Sequence, residues 1–196
     1  MALHVRSGST LVLVRHGETE WSVSSQHTSV TDIPLTDAGR RDAGRLGARL
    51  AGREFALALA SPRDRARETA ELAGLAAEVD ENLVEIDYGT YEGLTTPQIR
   101  EQNPGWSAWR EAAPGGESVE QAGERADRVI ERALAAEGDV VVVAHGHFLR
   151  VIGARWLGLS ATYGGNLGLD TGSYSELGFE RERRVIWLWN DTSHLR

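Results

Sequence analysis

The sequence predicts an α/β protein, a three-layer α/β/α sandwich around a mostly parallel central sheet. Three observations predict it: short apolar segments that suit buried strands, amphipathic helical segments between them, and two of those strands running directly into a histidine. Alternation of strands and helices is typical of parallel sheets, because parallel neighbours need a crossover connection. We expect a single domain over residues 1–196.

The first predicted strand ends in the most informative stretch of the chain. Apolar residues at 11–14 lead into Arg15, His16 and Gly17. Ligands of open α/β sheets bind at the carboxyl ends of the strands, so this Arg-His pair is placed to meet a ligand. From these residues alone, a hydrogen-bonded structural histidine is an equally good interpretation.

The next elements are a loop, a helix and a second strand. Residues 19–35 lack periodicity and predict a loop over the end of the first strand. Thr36 predicts the N-cap of a helix that ends at Gly52, and residues 55–60 predict a second buried strand. The following Ser61-Pro62 predicts the N-cap and first position of another helix.

That helix begins with arginines at 63, 65 and 67. Because the helical period turns them in different directions, at most two of them can face the same site as His16. An arginine near a helix N-terminus opposes the helix dipole, and a bound anion would offset that cost. A set of solvent-facing arginines explains the same pattern.

Two carboxylates, Glu85 and Asp87, flank an apolar residue in the middle of the chain. In an extended segment both would point to one side, and either can be a general acid or a turn residue. Thr96-Pro97 predicts a further short helix. Trp106 and Trp109 follow, and their spacing indicates helix packing into the core, with a lid over a substrate as the alternative.

The last third of the chain repeats the pattern of a strand that ends in a histidine. A capping box at 118–121 begins a helix over 118–137, and the apolar strand at 139–144 runs into His145-Gly146-His147 before another helix. Residues 174–189 alternate like a terminal hairpin. Its last strand leaves two arrangements open, pairing across a homodimer or a free sheet edge.

Composition excludes several classes of protein. The net charge of -8 argues against nucleic acid or an anionic membrane as a partner. The absence of cysteine excludes disulfides, thiolate metal ligands and cysteine nucleophiles. The first ten residues are too polar for a signal peptide and no apolar run approaches about 18 residues, so we expect a cytoplasmic protein.

The parallel sheet brings the chemically active residues to one edge. The strand ends place His16, the turn at Ser61 and His145 within reach of one another. Arginines there would oppose a metal ion, whereas guanidinium groups and helix N-terminal N–H groups hold phosphate oxygens. A neutral histidine can attack phosphorus, and a protonated carboxylic acid can give a proton to the leaving oxygen.

Six motifs follow one another in order along most of the chain. They are Val14-Arg15-His16-Gly17-Glu18-Thr19-Glu20-Trp21, Asp32-Ile33-Pro34-Leu35-Thr36 with Gly39, Ser61-Pro62-Arg63-Asp64-Arg65-Ala66 with Thr69-Ala70, Glu85 with Gly89 and Glu92-Gly93, Gly116-Glu117-Ser118, and Ala144-His145-Gly146. This series resembles the histidine phosphatase superfamily, whose fold is phosphoglycerate-mutase-like.

The resemblance implies a role for each matching residue. His16 is the nucleophile that becomes phosphohistidine, Glu85 is the proton donor, and His145 is the third catalytic residue. The implied phosphate clamp consists of Arg15, Arg65, His145 and the N–H of Gly146. The resemblance implies no metal or other cofactor, and a small phosphorylated metabolite as the partner.

Within the family, the sequence is more similar to acid phosphatases and sugar bisphosphatases than to mutases. Ile86 stands where mutases usually have an arginine after the proton donor, and the C-terminal tail of the mutases is lacking. We therefore expect a cofactor-independent phosphomonoesterase. The open alternatives are a phosphoglycerate mutase, a protein-phosphohistidine phosphatase and a non-catalytic phosphate- or phosphoprotein-binding module. The substrate-side candidates, each with an equally good structural interpretation, are Ser22, His27, Thr28, Tyr88 and Trp106, with Arg63, Trp109 and Arg110.

Overall fold

A computed structural model describes residues 7–196, and within them the chain forms a six-stranded sheet. Its strands are β1 (Ser7–Arg15), β2 (Leu57–Ala60), β3 (Glu78–Val79), β4 (Val140–Ala144), β5 (Tyr174–Glu180) and β6 (Arg183–Asp191). Their order across the sheet is β3-β2-β4-β1-β5-β6. The first four pair in parallel, and the β5-β6 hairpin adds to β1 in antiparallel orientation. The prediction that the first ten residues form no signal peptide falls in part on residues 1–6, which lie outside the described residues.

Six α-helices lie between the strands within the described residues. They are α1 (Glu20–Val23), α2 (Asp37–Leu50), α3 (Asp64–Leu72), α4 (Thr96–Gln102), α5 (Val119–Ala135) and α6 (Gly146–Trp156). Short 3-10 helices cover Glu81–Leu83, Gly89–Tyr91, Ala161–Asn166 and Ser193–Leu195. No helix within residues 7–196 is long and apolar enough to cross a membrane.

The core lies on both faces of the sheet. Leu11 and Leu13 of β1 belong to an apolar cluster with α5 and α6, whereas Val12 and Val14 belong to a second cluster with α2 and α3. Successive strand side chains point to opposite faces, so an unbroken apolar strand is buried on both sides. The predicted three-layer α/β/α sandwich with a mostly parallel sheet is confirmed.

Helix starts were predicted correctly where the capping residue acts locally. The Thr36 side chain accepts the N–H of Gly39 at the start of α2, and Ser118 and Gln121 form the capping box of α5. The predicted loop at 19–35 needs a correction, because the one-turn helix α1 lies inside it, with a capping box of Thr19 and Ser22.

The predicted N-cap at Ser61 is wrong. Helix α3 begins at Asp64, and Arg63 occupies the N-cap position without a side-chain capping bond. The hydroxyl of Ser61 is instead directed towards His145. The tryptophans at 106 and 109 also lie in irregular, turn-containing structure rather than in a helix.

Candidate active site

A cavity of about 340 Å³ opens beside the carboxyl ends of β1 and β4. Strand β1 delivers Arg15 and His16 to it, and α6, which follows β4, delivers Gly146. The lining residues that carry a charge or an imidazole are Arg15, His16, His27, Glu85, His147 and Arg150. His145 and Arg65 are fully buried next to these residues. The sheet edge predicted from the sequence is therefore where the chemistry-bearing side chains meet.

One hydrogen bond of the His16 ring determines which of its nitrogens keeps a free lone pair. Its Nδ1 lies 2.7 Å from the carbonyl oxygen of Gly17, which can only accept, so Nδ1 carries the proton. The lone pair is then on Nε2. Burial and the nearby Arg15 and Arg65 cations lower the pKa of His16 well below the usual value, which keeps the ring neutral at neutral pH.

His145 lies edge-on to His16, with 5.2 Å between the ring centroids. Its Nε2 is 2.7 Å from Oγ of Ser61, and its buried Nδ1 has no hydrogen-bond partner among the described residues. Burial, then the charge of Arg65, lowers the pKa of His145 well below the usual value. The ring is therefore a neutral donor or acceptor whose free nitrogen is Nδ1.

Ser61 can set which nitrogen of His145 carries the proton. Its Oγ accepts the backbone N–H of Arg63 at 3.4 Å, and its own proton can be donated to the imidazole. Donation to Nε2 of His145 leaves the proton of the ring on Nδ1. In that tautomer the unpartnered Nδ1 is an N–H donor next to His16.

Two arginines complete a set of buried donors. Arg15 donates through Nη1 to the carbonyl oxygen of Leu169 at 2.6 Å, and Arg65 donates to the carbonyl oxygens of Thr31 at 3.0 Å and Ser29 at 3.3 Å. These bonds fix both guanidinium groups, while the buried Nε atom of each has no partner within residues 7–196. Buried donors without acceptors are costly, and a bound anion removes that cost.

The other two arginines of α3 do not reach this cavity. Arg67 pairs with Asp64 at 3.2 Å on the surface, and Arg63 lines a neighbouring depression. Arg65 is therefore the arginine of this helix that meets the histidines. The expectation that no more than two of the three would face the site is confirmed.

Glu85 links the cavity to the start of α6. Its Oε2 accepts the N–H of His147 at 2.9 Å, and its Oε1 accepts those of Phe148 at 2.8 Å and Ile86 at 2.9 Å. These bonds favour the carboxylate, but burial dominates and raises the pKa of Glu85 above its usual value. Asp87, the alternative acid, instead accepts the N–H of Gly89 at 2.8 Å and does not line the cavity.

Gly146 allows Arg15 to lie against the start of α6. A Cβ atom at position 146 would be 3.1 Å from both Cζ and Nε of Arg15, closer than nine in ten real Cβ contacts. Glycine at this position therefore permits the close approach of the guanidinium group to the helix N-terminus.

Four of the eight substrate-side candidates line the cavity, whereas Trp106, Arg63, Trp109 and Arg110 do not. Ser22, His27, Thr28 and Tyr88 are in the lining. Trp106 is 1% exposed and packs edge-on against His27, with 5.3 Å between ring centroids. It supports the wall of the cavity from behind. The predicted contact of Trp106 with the substrate is therefore wrong, and the alternative that this residue forms a lid is wrong as well.

Several of the lining hydroxyl groups are already used by the protein. Ser22 Oγ takes part in the capping box of α1, and Thr28 Oγ1 donates to the carbonyl oxygen of Gln26 at 3.1 Å. The hydroxyl of Tyr88 lies 2.5 Å from Nδ1 of His147. These groups shape the wall more than they offer free hydrogen-bonding atoms.

Glu18 orders the loop after β1. Its Oε1 accepts the hydroxyl of Thr36 at 2.7 Å, and its backbone oxygen accepts the N–H of the same threonine at 2.9 Å. These bonds hold the turn after β1 against the start of α2.

Sequence reasoning missed two polar residues that the structure brings to the site. Ser61 was interpreted as a helix cap, although it bonds to His145. Arg150 was not singled out, although it lies four residues after Gly146 on α6 and lines the same cavity. The four-residue spacing places Gly146 and Arg150 on one face of the helix, and this spacing could have identified Arg150 as a cavity residue.

Replacing Ser61 with alanine is expected to lower kcat/KM for phosphoester hydrolysis about 3- to 10-fold, the cost of losing one neutral hydrogen bond that orients His145. Steady-state kinetics of the purified variant, with its urea unfolding curve as a fold control, will measure this. Ser107→Ala, in an irregular segment outside the cavity lining, is the matched control. Equal rates for Ser61→Ala and wild type would contradict the positioning role.

The fold and the site together define an α/β enzyme of the phosphoryl-transfer class. At the carboxyl edge of the mostly parallel sheet lie a neutral histidine and buried hydrogen-bond donors that can bind an anion. A carboxyl group with a raised pKa lies beside them. The family model of the histidine phosphatase superfamily (branch 1) matches residues 11–192. The chain belongs to this superfamily.

Relatives and solved structures agree with this assignment. The chain is 44% identical over 189 residues to an acid phosphatase of Mycobacterium tuberculosis, covering 94% of this chain and 93% of the relative. It is 37% identical to the sedoheptulose 1,7-bisphosphatase of Saccharomyces cerevisiae over 76% of this chain and 67% of the relative. A solved structure of an open reading frame product of Mycobacterium tuberculosis superimposes with a TM-score of 0.89 at 42% identity, covering 94% and 98% of the two chains. The protein is a phosphoric monoester hydrolase.

Proposed function

We propose that this protein releases inorganic phosphate from small phosphomonoesters through a phosphohistidine at His16, without a cofactor. One observation carries the proposal: three residues near His16 each hold a buried nitrogen that has no hydrogen-bond partner among the described residues. These atoms are Nε of Arg15, Nε of Arg65 and Nδ1 of His145. A phosphoryl group with three oxygens matches a set of donors of this kind.

In the first half of the proposed reaction, Nε2 of His16 attacks phosphorus while the bond between phosphorus and the ester oxygen breaks. The leaving oxygen takes the proton of Glu85, so the alcohol departs neutral and Glu85 becomes a carboxylate. The phosphoryl group stays on the histidine. The buried donors stabilise the charge that its oxygens carry in the transition state.

In the second half, the carboxylate of Glu85 takes a proton from water as the water oxygen attacks phosphorus. The bond between nitrogen and phosphorus breaks, and its electron pair returns to Nε2 of His16. Inorganic phosphate leaves, and Glu85 is protonated again for the next turnover. Each residue thus returns to its starting protonation state.

The surroundings of Ile86 favour hydrolysis over a mutase reaction. Mutases usually carry an arginine at this position, and here Ile86 is 2% exposed and packs in the core cluster of α5 and α6. The names of two relatives, an acid phosphatase and a sugar bisphosphatase, also support a small phosphorylated metabolite as substrate. Strand β6 lies at one edge of the sheet, where a second copy of the chain could pair with it, and the homodimer stays a prediction. The cytoplasmic location and the single-domain organisation also stay predictions.

The proposal is tested by rapid quenching of the wild-type protein with a ³²P-labelled phosphomonoester. We expect label on the protein that is stable in alkali and lost in acid, as a phosphorus–nitrogen bond requires, and stoichiometric phosphate release in the presence of a chelator. Turnover without such a labelled protein, or interconversion of phosphoglycerates without phosphate release, would overturn it.

A further inference from the structure

We propose that Arg125 is a positioning residue for the proton donor, because it holds both the backbone that leads into Glu85 and a residue of α6 that binds the carboxyl group of Glu85. This inference rests on the proposed function and names a residue on which the proton transfer depends. Arg125 lies on α5 and does not line the active-site cavity.

Glu85 lies in a segment without regular secondary structure. Residues 84–88 form no strand or helix, so no ladder of hydrogen bonds fixes the peptide groups on either side of Glu85. Its carboxyl group accepts the N–H groups of His147 and Phe148. These bonds orient the side chain, but they do not fix the backbone from which it extends. Contacts from elsewhere in the fold must therefore hold this segment.

Arg125 binds the backbone immediately before Glu85. Its Nη1 donates to the carbonyl oxygen of Val84 at 3.0 Å and also to that of Asn82. The carbonyl of Val84 belongs to the peptide bond that joins Val84 to Glu85, and a peptide group is planar. The hydrogen bond from Arg125 therefore restricts the orientation of the peptide plane at which Glu85 begins.

The same guanidinium group packs on a residue that binds the carboxyl group of Glu85. Cζ of Arg125 lies 4.3 Å from the ring centroid of Phe148, which is a cation–π contact. The N–H of Phe148 donates to Oε1 of Glu85 at 2.8 Å. Arg125 thus acts on the backbone of Glu85 through Val84 and on its carboxyl group through Phe148.

Glu117 fixes Arg125 and neutralises its charge. Nε and Nη2 of Arg125 donate to the two carboxyl oxygens of Glu117 at 2.7 Å and 2.6 Å, and both side chains are mostly buried. A bidentate pair of this kind sets the orientation of the guanidinium plane and leaves Nη1 for the carbonyl oxygens. An unpaired cation beside Glu85 would favour its carboxylate and oppose its role as an acid. The pair therefore supplies hydrogen bonds without an unbalanced charge.

The turn before α5 holds the other side of the segment. The backbone N–H of Glu117 donates to the carbonyl oxygen of Asp87 at 2.9 Å. A Cβ atom at position 116 would overlap with the same carbonyl oxygen, so glycine at this position permits the contact. Glu85 is thus held between two anchors, the side chain of Arg125 before it and the backbone of Glu117 after it.

The proposal is tested by the ratio of kcat/KM for glycerol 3-phosphate to kcat/KM for 4-nitrophenyl phosphate. The alcohol of the first ester needs a proton to leave, whereas 4-nitrophenolate leaves without one. In Arg125→Gln we expect kcat/KM for glycerol 3-phosphate to fall roughly 10- to 100-fold, the scale for a misplaced catalytic group, and that for 4-nitrophenyl phosphate to fall less than about threefold. The ratio does not depend on the fraction of the sample that is folded, because both activities scale with that fraction.

A double-mutant cycle separates positioning of the acid from a general structural effect. In the Glu85→Gln background the proton donor is already absent, so adding Arg125→Gln should change kcat/KM for glycerol 3-phosphate by less than about threefold. Arg125→Lys keeps a charge for Glu117 but has no planar fork that donates to Glu117 and to the carbonyl oxygens together. It should therefore have a ratio between those of wild type and Arg125→Gln.

Arg155→Gln is the matched control. Arg155 donates through Nε and Nη2 to the carboxyl oxygens of Asp127 at 2.9 Å and 2.7 Å, and through Nη1 to the carbonyl oxygen of Leu159 at 3.1 Å. Its bonds are therefore of the same kind as those of Arg125, but they do not involve the segment of Glu85. The ratio for Arg155→Gln should equal that of wild type.

The outcomes separate the two proposals. An unchanged ratio in Arg125→Gln and Arg125→Lys, or a full additional loss in the Glu85→Gln background, overturns the positioning role and leaves the phosphatase proposal intact. Failure of the wild-type protein to release phosphate from either ester contradicts the phosphatase proposal itself. If Arg125→Gln does not fold, the ratio measured for Arg125→Lys decides the question.

Discussion

Replacing His16 with alanine is expected to lower kcat/KM for 4-nitrophenyl phosphate by roughly 10⁴-fold or more, the scale seen when a covalent nucleophile is removed. The variant has no nitrogen in the position of Nε2, so the phosphorus–nitrogen bond cannot form. Labelled phosphoenzyme should be absent from quenched reactions. Phosphate release over long incubations, compared with a mock preparation, will measure the residual rate.

Two controls make this result specific to the nucleophile. Urea unfolding shows whether His16→Ala is folded. Binding of inorganic phosphate can be measured in the same way for wild type and for the variant, which keeps Arg15 and Arg65. His194→Asn replaces a histidine outside the cavity lining and should keep most of the wild-type rate. A His16→Ala protein as active as wild type contradicts the proposed mechanism.

Local patterns were sufficient to predict the fold and the place of His16 in it. The fully apolar segment of β4 is buried on both faces, and such runs are recognisable because every residue has to be apolar. Thr36 and Ser118 cap helices through bonds within a few residues. His16 follows a strand of this kind directly, so its position at the sheet edge required no knowledge of distant contacts.

Ser61 shows where local patterns stop being sufficient. Serine before proline at a helix start is equally suited to cap the helix or to bond elsewhere, and no neighbouring residue decides between the two. Its actual partner, His145, is 84 residues away and reaches it only because β2 and β4 are adjacent in the sheet. Strand order decides this contact, and strand order is a property of the whole chain.

The two carboxylates illustrate the same limit in another way. Alternation assigns Glu85 and Asp87 to one side only if the segment is extended, but residues 84–88 form no regular strand. The N-terminus of α6 decides between them, because its free N–H groups bind Glu85. Arg150 could not be assigned from sequence for a similar reason, since its anchors are carbonyl oxygens of a separate 3-10 segment.

Replacing Glu85 with glutamine is expected to lower kcat/KM by roughly 10²- to 10⁴-fold, the usual contribution of a general acid. The raised pKa of Glu85 keeps the carboxyl group protonated to higher pH than an exposed glutamic acid. In wild type, kcat/KM should therefore fall as the pH rises through this pKa, because the proton donor is lost. Glutamine has no such proton, so this dependence should disappear from the pH profile.

The leaving group separates an acid role from a structural one. An alkyl alcohol needs a proton on departure far more than 4-nitrophenol does, so Glu85→Gln should lose more activity on glycerol 3-phosphate than on 4-nitrophenyl phosphate. A variant damaged only in its bonds to α6 would lose both activities equally. Asp87→Asn is the matched control: its Oδ1 can still accept the N–H of Gly89, and its pH profile should match that of wild type. An unchanged profile in Glu85→Gln, together with a changed one in Asp87→Asn, would transfer the acid role to Asp87.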